Sequence, residues 1–216
     1  PHLTAILLSI DGQSLRTVAT DSYRLAVRTT EISAPVTERI EANVPARALQ
    51  EAVRLADGAE TVKITLADRQ ICFQSADGLL VSRLIDGQFP DFEQLIPDSY
   101  EHELDLDVAE LRDAVKRVSL LAQRNTPLKV ALKEGELEVS AQTADVGEAR
   151  EVIPAPDFSG EPLEIGFNPD FLREGLDSVH TERAKFKLIS PFRPGLIVAG
   201  EADEFMYLVM PIRLNT

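Results

Sequence analysis

The feature that most restricts the fold of this chain is that it repeats itself. Leu8-Ser-Ile-Asp-Gly12 runs through a turn into Leu15-Arg-Thr-Val-Ala-Thr-Asp21, and Val130-Ala-Leu-Lys-Glu-Gly135 runs through a turn into Leu137-Glu-Val-Ser-Ala-Gln-Thr-Ala-Asp145. Both copies show apolar alternation, an acidic-Gly turn and alternation again, which is the pattern of a β-hairpin. A further extended run follows each, over 24–28 and 149–153. Val44-Pro45 then opens a helical segment with apolar Leu49, Ala52, Val53 and Ala56, ending at Asp57-Gly58. Asn168-Pro169 opens its counterpart with Phe171, Leu172, Leu176 and Val179. Asn before Pro is a helix start: the amide side chain caps, and proline has no N–H to leave unpaired. The later strands also correspond, Val62–Leu66 with Ala184–Leu188, as do the closing hairpins, Ile71–Phe73 with Leu79–Leu84 and Leu196–Val198 with Tyr207–Ile212.

Co-linear repetition over this length implies two homologous α+β domains, and 216 residues accommodate two of about 100 each. The expected boundary lies near Tyr100–His102, giving domains over 1–99 and 100–216. Short hairpin turns imply antiparallel sheets with helices on one face. The second repeat begins with a strand, Glu103–Leu106, and a helix over 107–123 that starts with the capping-box-like Asp107-Val-Ala-Glu110. The first repeat is expected to own the same pair ahead of Pro1. The chain is therefore read as a fragment with its first domain cut into, an expectation shared by its start at Pro rather than Met.

Composition narrows the function. Thirty-six acidic against 22 basic residues give a formal charge of −14, which does not hold nucleic acid by bulk attraction. No apolar run is long enough for a membrane helix. A single cysteine, Cys72, excludes an internal disulfide and a thiolate metal cluster, and reads as a small buried hydrophobe. His2, His102 and His180 are too scattered for a metal site or a triad. The carboxylate pairs Asp105/Asp107 and Glu148/Glu151 read as solvated surface. Asp21 and Arg24 are the one polar pair worth weighing as catalytic, and without a nucleophile or base beside them an anchoring role is preferred. No cofactor and no metal are expected.

Four segments carry a family resemblance: Thr17-Val-Ala-Thr-Asp-Ser-Tyr-Arg-Leu-Ala-Val27, Asp86-Gly-Gln-Phe-Pro-Asp-Phe92, Glu164-Ile-Gly-Phe-Asn168 and Tyr207-Leu-Val-Met-Pro-Ile-Arg-Leu214. In order and spacing they resemble the middle and C-terminal domains of the bacterial sliding clamp, the beta subunit of DNA polymerase III. The resemblance implies the DNA-clamp fold, with sheets outside and helices inside a head-to-tail homodimeric ring of three domains per subunit. Such a ring encircles duplex DNA without sequence preference. It has no active site, and tethers the polymerase III catalytic subunit, the clamp loader and repair proteins through a short peptide motif. The implied location is the cytoplasm, at the nucleoid.

The same resemblance implies site residues. A peptide pocket between the middle and C-terminal domains maps onto Leu3, Thr20, Arg24, Leu25, Pro90, Leu95, Asn168, Leu208, Val209, Met210, Pro211, Ile212, Arg213 and Leu214. Ser22-Tyr23 stands where the family commonly has Gly-His, Gln94 where a basic residue is frequent, and Phe171 where a Tyr is usual. Phe192 and Pro194 fall in a Pro-rich turn that aligns loosely. Leu, Val, Met and Pro suit an apolar slot, with Thr20 and Arg24 as polar anchors. Ordinary strand-core packing accounts equally well for Leu25, Leu208 or Val209 taken singly. The DNA-facing candidates are Arg47, Arg54, Arg112, Lys116, Arg117, Arg124 and Arg173 on the three helical segments. A solvated helix face explains any one of them; the group at 112, 116, 117 and 124 is assigned to DNA chiefly through the resemblance. Leu120 and Leu121 map onto the subunit contact, with core packing as the alternative. Two rival readings stay open: an enzyme on a duplicated α+β scaffold, which requires a cleft of clustered titratable groups, and a clamp-like paralogue that binds peptides but not DNA.

Overall fold

A computed structural model describes residues 4–122, 126–143 and 147–214. Leu3 and Arg124 lie outside the described residues. The chain folds into two compact units, one of residues 1–22 and 27–92, the other of residues 23–26 and 93–216.

In the first unit, β1 (Ala5–Asp11), β2 (Ser14–Thr20), β3 (Arg24–Glu31, whose first three residues belong to the second unit) and β4 (Ile40–Pro45) lie in the order β4-β1-β2-β3. The β1–β2 turn is tight because Gly12 takes a φ of 55°, which an L side chain rarely adopts. Helix α1 (Ala46–Leu55) buries Ala48 and Ala52, one turn apart, and presents Arg47 and Arg54 to solvent. Val53, expected on the apolar face, is 71% exposed, because it falls one residue beyond the buried stripe. A second sheet, β5 (Lys63–Ala67), β6 (Gln70–Ser75) and β7 (Gly78–Arg83), adds Ile71 and Phe73 to a core with Leu8, Ala42 and Val44.

In the second unit, β8 (His102–Asp107) leads into α2 (Val108–Ser119), whose N-cap Asp107 accepts from the Glu110 amide at 2.9 Å. The helix stops at Ser119, short of the expected residue 123, so Leu120 and Leu121 sit in a turn. Strands β9 (Leu128–Lys133), β10 (Glu136–Thr143), β11 (Gly147–Pro154), β12 (Leu163–Phe167) and β16 (Pro211–Ile212) form an antiparallel sheet in the order β11-β10-β9-β12-β16. Helix α3 (Pro169–Asp177) follows β12. Then β13 (Arg183–Leu188), β14 (Gly195–Ala199) and β15 (Phe205–Val209) order as β15-β14-β13-β8. The two sheets and two helices enclose a core that includes Leu111, Val115, Val130, Ile165, Leu172 and Phe186. The terminal strand expected over Tyr207–Ile212 is broken at Met210: β15 belongs to one sheet and β16 to the other.

Among the described residues, Glu138 is the one carboxylate buried in the second unit's β9–β12 sheet, with 7% of its side chain exposed, and it bridges Lys133 and Arg150 at 2.6 Å each. Burial pushes its pKa up, but the Lys133 hydrogen bond and the charges of Lys133, Arg150 and Lys129 outweigh that and hold it below the ordinary range. A lowered folded pKa stabilises the protein above the unfolded pKa, and that stability is lost as pH falls through the folded value. Melting followed between pH 6 and pH 3 is expected to show an acid-side loss that is smaller in Glu138→Gln. An identical acid limb in both proteins contradicts this.

Candidate functional site

A slot assembles on the second unit around the start of β3, the first turn of α3 and the break between β15 and β16. Asn168 caps α3, accepting from the amides of Asp170 at 2.9 Å and Phe171 at 3.2 Å. Such a cap is worth about 1 kcal/mol, and here it also fixes where the Phe171 ring leaves the helix. Asn168 is therefore a positioning group, its acceptor oxygen already used. The Arg24 guanidinium lies 4.3 Å from the centroid of the Phe171 ring and pairs with Glu174 at 2.6 Å. A cation held over an aromatic face by a carboxylate one turn along the same helix is a pre-set arrangement. Tyr23 packs beside it, ring centroids 6.2 Å apart, and is 62% exposed. The Met210 amide donates to the Tyr23 carbonyl at 2.8 Å, tying the strand break to this edge and leaving the Met210 side chain 41% exposed.

Beneath the slot, Tyr207 crosses α3. Its hydroxyl donates to the Phe171 carbonyl at 2.8 Å, and its ring occupies the space over Gly175, where an added Cβ would come within 2.3 Å. Beyond Met210 the chain borders a cavity of about 540 Å³ lined by Glu164, Gly166, Pro191, Phe192, Ile212, Arg213 and Leu214. Gly166 is required there, since a Cβ would lie 2.5 Å from the Ile212 carbonyl oxygen.

The structure thus brings Tyr23, Arg24, Asn168, Phe171 and Met210 together, and gathers Ile212, Arg213 and Leu214 at the cavity, with Pro211 between the two groups. Leu25, Leu208 and Val209 are different: they are 2%, 3% and 0% exposed. Strand burial of this degree is what ordinary core packing, the other reading of these three positions, implies. Gln94 and Leu95 are exposed on a short 3₁₀ turn, Glu93–Leu95. In the first unit, Thr20 ends β2, its hydroxyl receives the Ser22 amide at 3.4 Å, Ser22 adopts a φ of 74°, and Pro90 is half-buried. Sequence reasoning missed Glu174 and left Phe192 in a loosely aligned turn without assigning it to the pocket. Phe192 is 72% exposed at the cavity rim, and the Pro-rich turn around it was the available signal.

The basic helix positions prove mostly committed. Arg112 donates to the Leu176 and Val179 carbonyls at 3.0 Å each, capping the C-terminus of α3. Arg117 pairs with Glu151, Arg54 with Glu51 and Arg173 with Asp170. Lys116 and Arg47 are exposed and form no ion pair among the described residues. Leu120 is 84% exposed, whereas Leu121 is half-buried. Among the described residues no cluster of His, Cys, Asp or Glu suits a metal ion, and no helix is long and apolar enough to cross a membrane.

The geometry defines a class: two units of antiparallel sheet backed by helices, with an apolar, aromatic-edged slot on the second. Comparison with known proteins specifies it. Residues 1–91 match the central domain of the DNA polymerase III beta subunit, and residues 93–213 match its C-terminal domain. The chain belongs to the DNA polymerase III beta subunit family. The beta sliding clamp of Streptococcus pneumoniae serotype 4 is 33% identical over 220 residues, covering 100% of this chain and 58% of that protein. The sliding clamp of Bacillus subtilis superimposes with a TM-score of 0.94 at 28% identity, covering 100% of this chain and 58% of that one. The Pseudomonas aeruginosa clamp bound to griselimycin superimposes with a TM-score of 0.91 at 31% identity, covering 99% and 58%. The chain therefore spans somewhat more than half the length of the relatives it matches.

Proposed function

We propose that this chain is the partner-docking and DNA-facing part of a sliding clamp, a non-catalytic processivity factor that encircles duplex DNA as a homodimeric ring. The observation that carries the reading is the co-linear match to two consecutive beta-subunit domains over nearly the whole chain. The slot at Tyr23, Arg24, Phe171 and Met210 supports the docking role. Its apolar and aromatic surfaces suit the hydrophobic end of a linear motif, and Arg24 suits a polar group beside it. That a relative binds griselimycin fits a protein with a ligand-accepting surface. On this reading the polymerase, the clamp loader and repair proteins share the slot. Leu120 and Leu121 meet the neighbouring subunit. Lys116, Arg117 and Arg47 approach phosphates loosely, since topology rather than affinity retains the ring.

The test uses the complete protein, loaded onto closed circular duplex DNA and washed at 0.5 M salt. Retention that disappears when the circle is cut by a restriction enzyme is expected, because a ring slides off an end. Equal loss from circles and linear DNA contradicts the topological reading.

A further inference from the structure

We propose that Glu151 is a built-in competitor for DNA phosphate, holding Arg117 off the duplex and so setting how weakly the helix face of the second unit grips DNA. This inference rests on the reading of that face as DNA-facing.

Arg117 donates through Nε to one Glu151 carboxylate oxygen at 2.7 Å and through Nη2 to the other at 3.0 Å. That two-pronged fork is the geometry in which a guanidinium also grips phosphate, so the carboxylate occupies the donors that DNA would use. Glu151 does not belong to the helix. It is presented by β11, 34 residues along the chain, where it faces Val139 in the strand ladder. A rigid element therefore delivers the carboxylate, and its side chain is only 33% exposed. The pairs Arg54–Glu51 and Arg173–Asp170 differ in kind. Each is an i,i+3 contact on one helix between well-exposed partners, worth little and readily exchanged for phosphate. The hydrogen bond holds the Glu151 carboxyl below its usual range and the Arg117 guanidinium above its own, with Asp113 adding to the latter. Both partners thus stay charged throughout the physiological range, and the competition does not depend on pH there.

To reach a phosphate, Arg117 must release a partner of similar geometry and opposite charge. Its net contribution to DNA affinity is then a small difference between two like interactions, while Lys116, which forms no ion pair among the described residues, supplies the standing attraction. Removing the carboxylate converts Arg117 into an additional phosphate ligand. Each phosphate neutralised adds about −0.9 to the slope of log affinity against log salt.

The experiment measures binding of the 216-residue chain to a fluorescently labelled 30-base-pair duplex by anisotropy, between 20 and 150 mM KCl. The variants are Glu151→Gln, Arg117→Ala, the double variant, and Lys116→Ala. Glu148→Gln, an exposed neighbour on the same strand, controls for the change in net charge. Thermal melts confirm that each is folded. Glu151→Gln is expected to tighten binding about threefold beyond Glu148→Gln at the lowest salt and to steepen the salt slope by about one phosphate. The double variant is expected to behave as Arg117→Ala alone. Glu151→Gln matching Glu148→Gln while Lys116→Ala weakens binding would overturn the competitor role and leave the DNA-facing reading standing. If Lys116→Ala also matches the parent, the DNA-facing reading fails and the competitor role fails with it.

Discussion

Gly175→Ala is expected to lower the melting temperature of the second unit by about 6 °C, even though alanine is the better helix former. The helix-propensity gain is about 1 kcal/mol. Against it stands the Tyr207 ring, with carbon atoms 2.3 and 2.4 Å from where the new Cβ would sit. Tyr207 is 5% exposed and its hydroxyl is bound to the Phe171 carbonyl, so the ring cannot swing into solvent without losing that bond. Overpacking of this kind costs about 3 kcal/mol, leaving a net loss of about 2 kcal/mol. The same clash pushes α3 outward and displaces Phe171, so peptide affinity is expected to fall as well. Calorimetric melting of Gly175→Ala and of the double variant Gly175→Ala/Tyr207→Leu separates the causes. Relief of the methyl's cost in the double variant identifies the ring clash, and an unchanged melt for Gly175→Ala contradicts it.

The second large effect is expected at Phe171. Replacing it by alanine removes the ring beneath Arg24 and beside Tyr23 and is expected to weaken peptide binding about tenfold, within the range of an aromatic anchor. Phe171 also packs against the core, so part of any change would be structural. Phe171→Leu retains apolar volume but not the cation–π contact. It is expected to keep most of the stability while still losing several-fold in affinity. Equal affinity of Phe171→Leu and the parent would remove the ring–guanidinium stack from the account.

What the sequence disclosed follows from how local each determinant is. The hairpins at Gly12 and Gly135, and the helix starts at Asp107 and Asn168, depend on residues a few positions apart, and spacing reveals them. The second-unit core follows from alternation and helical periodicity. By contrast, the break at Met210 is decided by which sheet edge each half of the segment finds, and periodicity across 207–212 reads as one strand. Val53 was misplaced because a ten-residue helix with a narrow buried stripe leaves its third apolar position outside. The slot was legible only in part. Arg24, Asn168, Phe171 and Met210 came from motif positions, but burial of Leu25, Leu208 and Val209 is set by tertiary packing. The partners of Arg112 and Arg117 lie on elements distant in sequence, the helix end at Leu176–Val179 and strand β11. Helix placement and the family resemblance marked both arginines as DNA-facing, and neither signal reveals that the fold pairs one with carbonyls and the other with a carboxylate. Glu174 carried no signal beyond being acidic.

The central claim is that the second unit carries a docking slot for a linear motif. Its most direct measurement is calorimetric titration of the 216-residue chain with a short synthetic peptide bearing a Gln-Leu-x-Leu-Phe motif. The control is Met210→Ala lacking residues 214–216. Saturable one-to-one binding to the parent chain, lost in the control while its melting curve is retained, is the predicted result. Binding of equal strength to both proteins, or no binding to the parent, contradicts the slot.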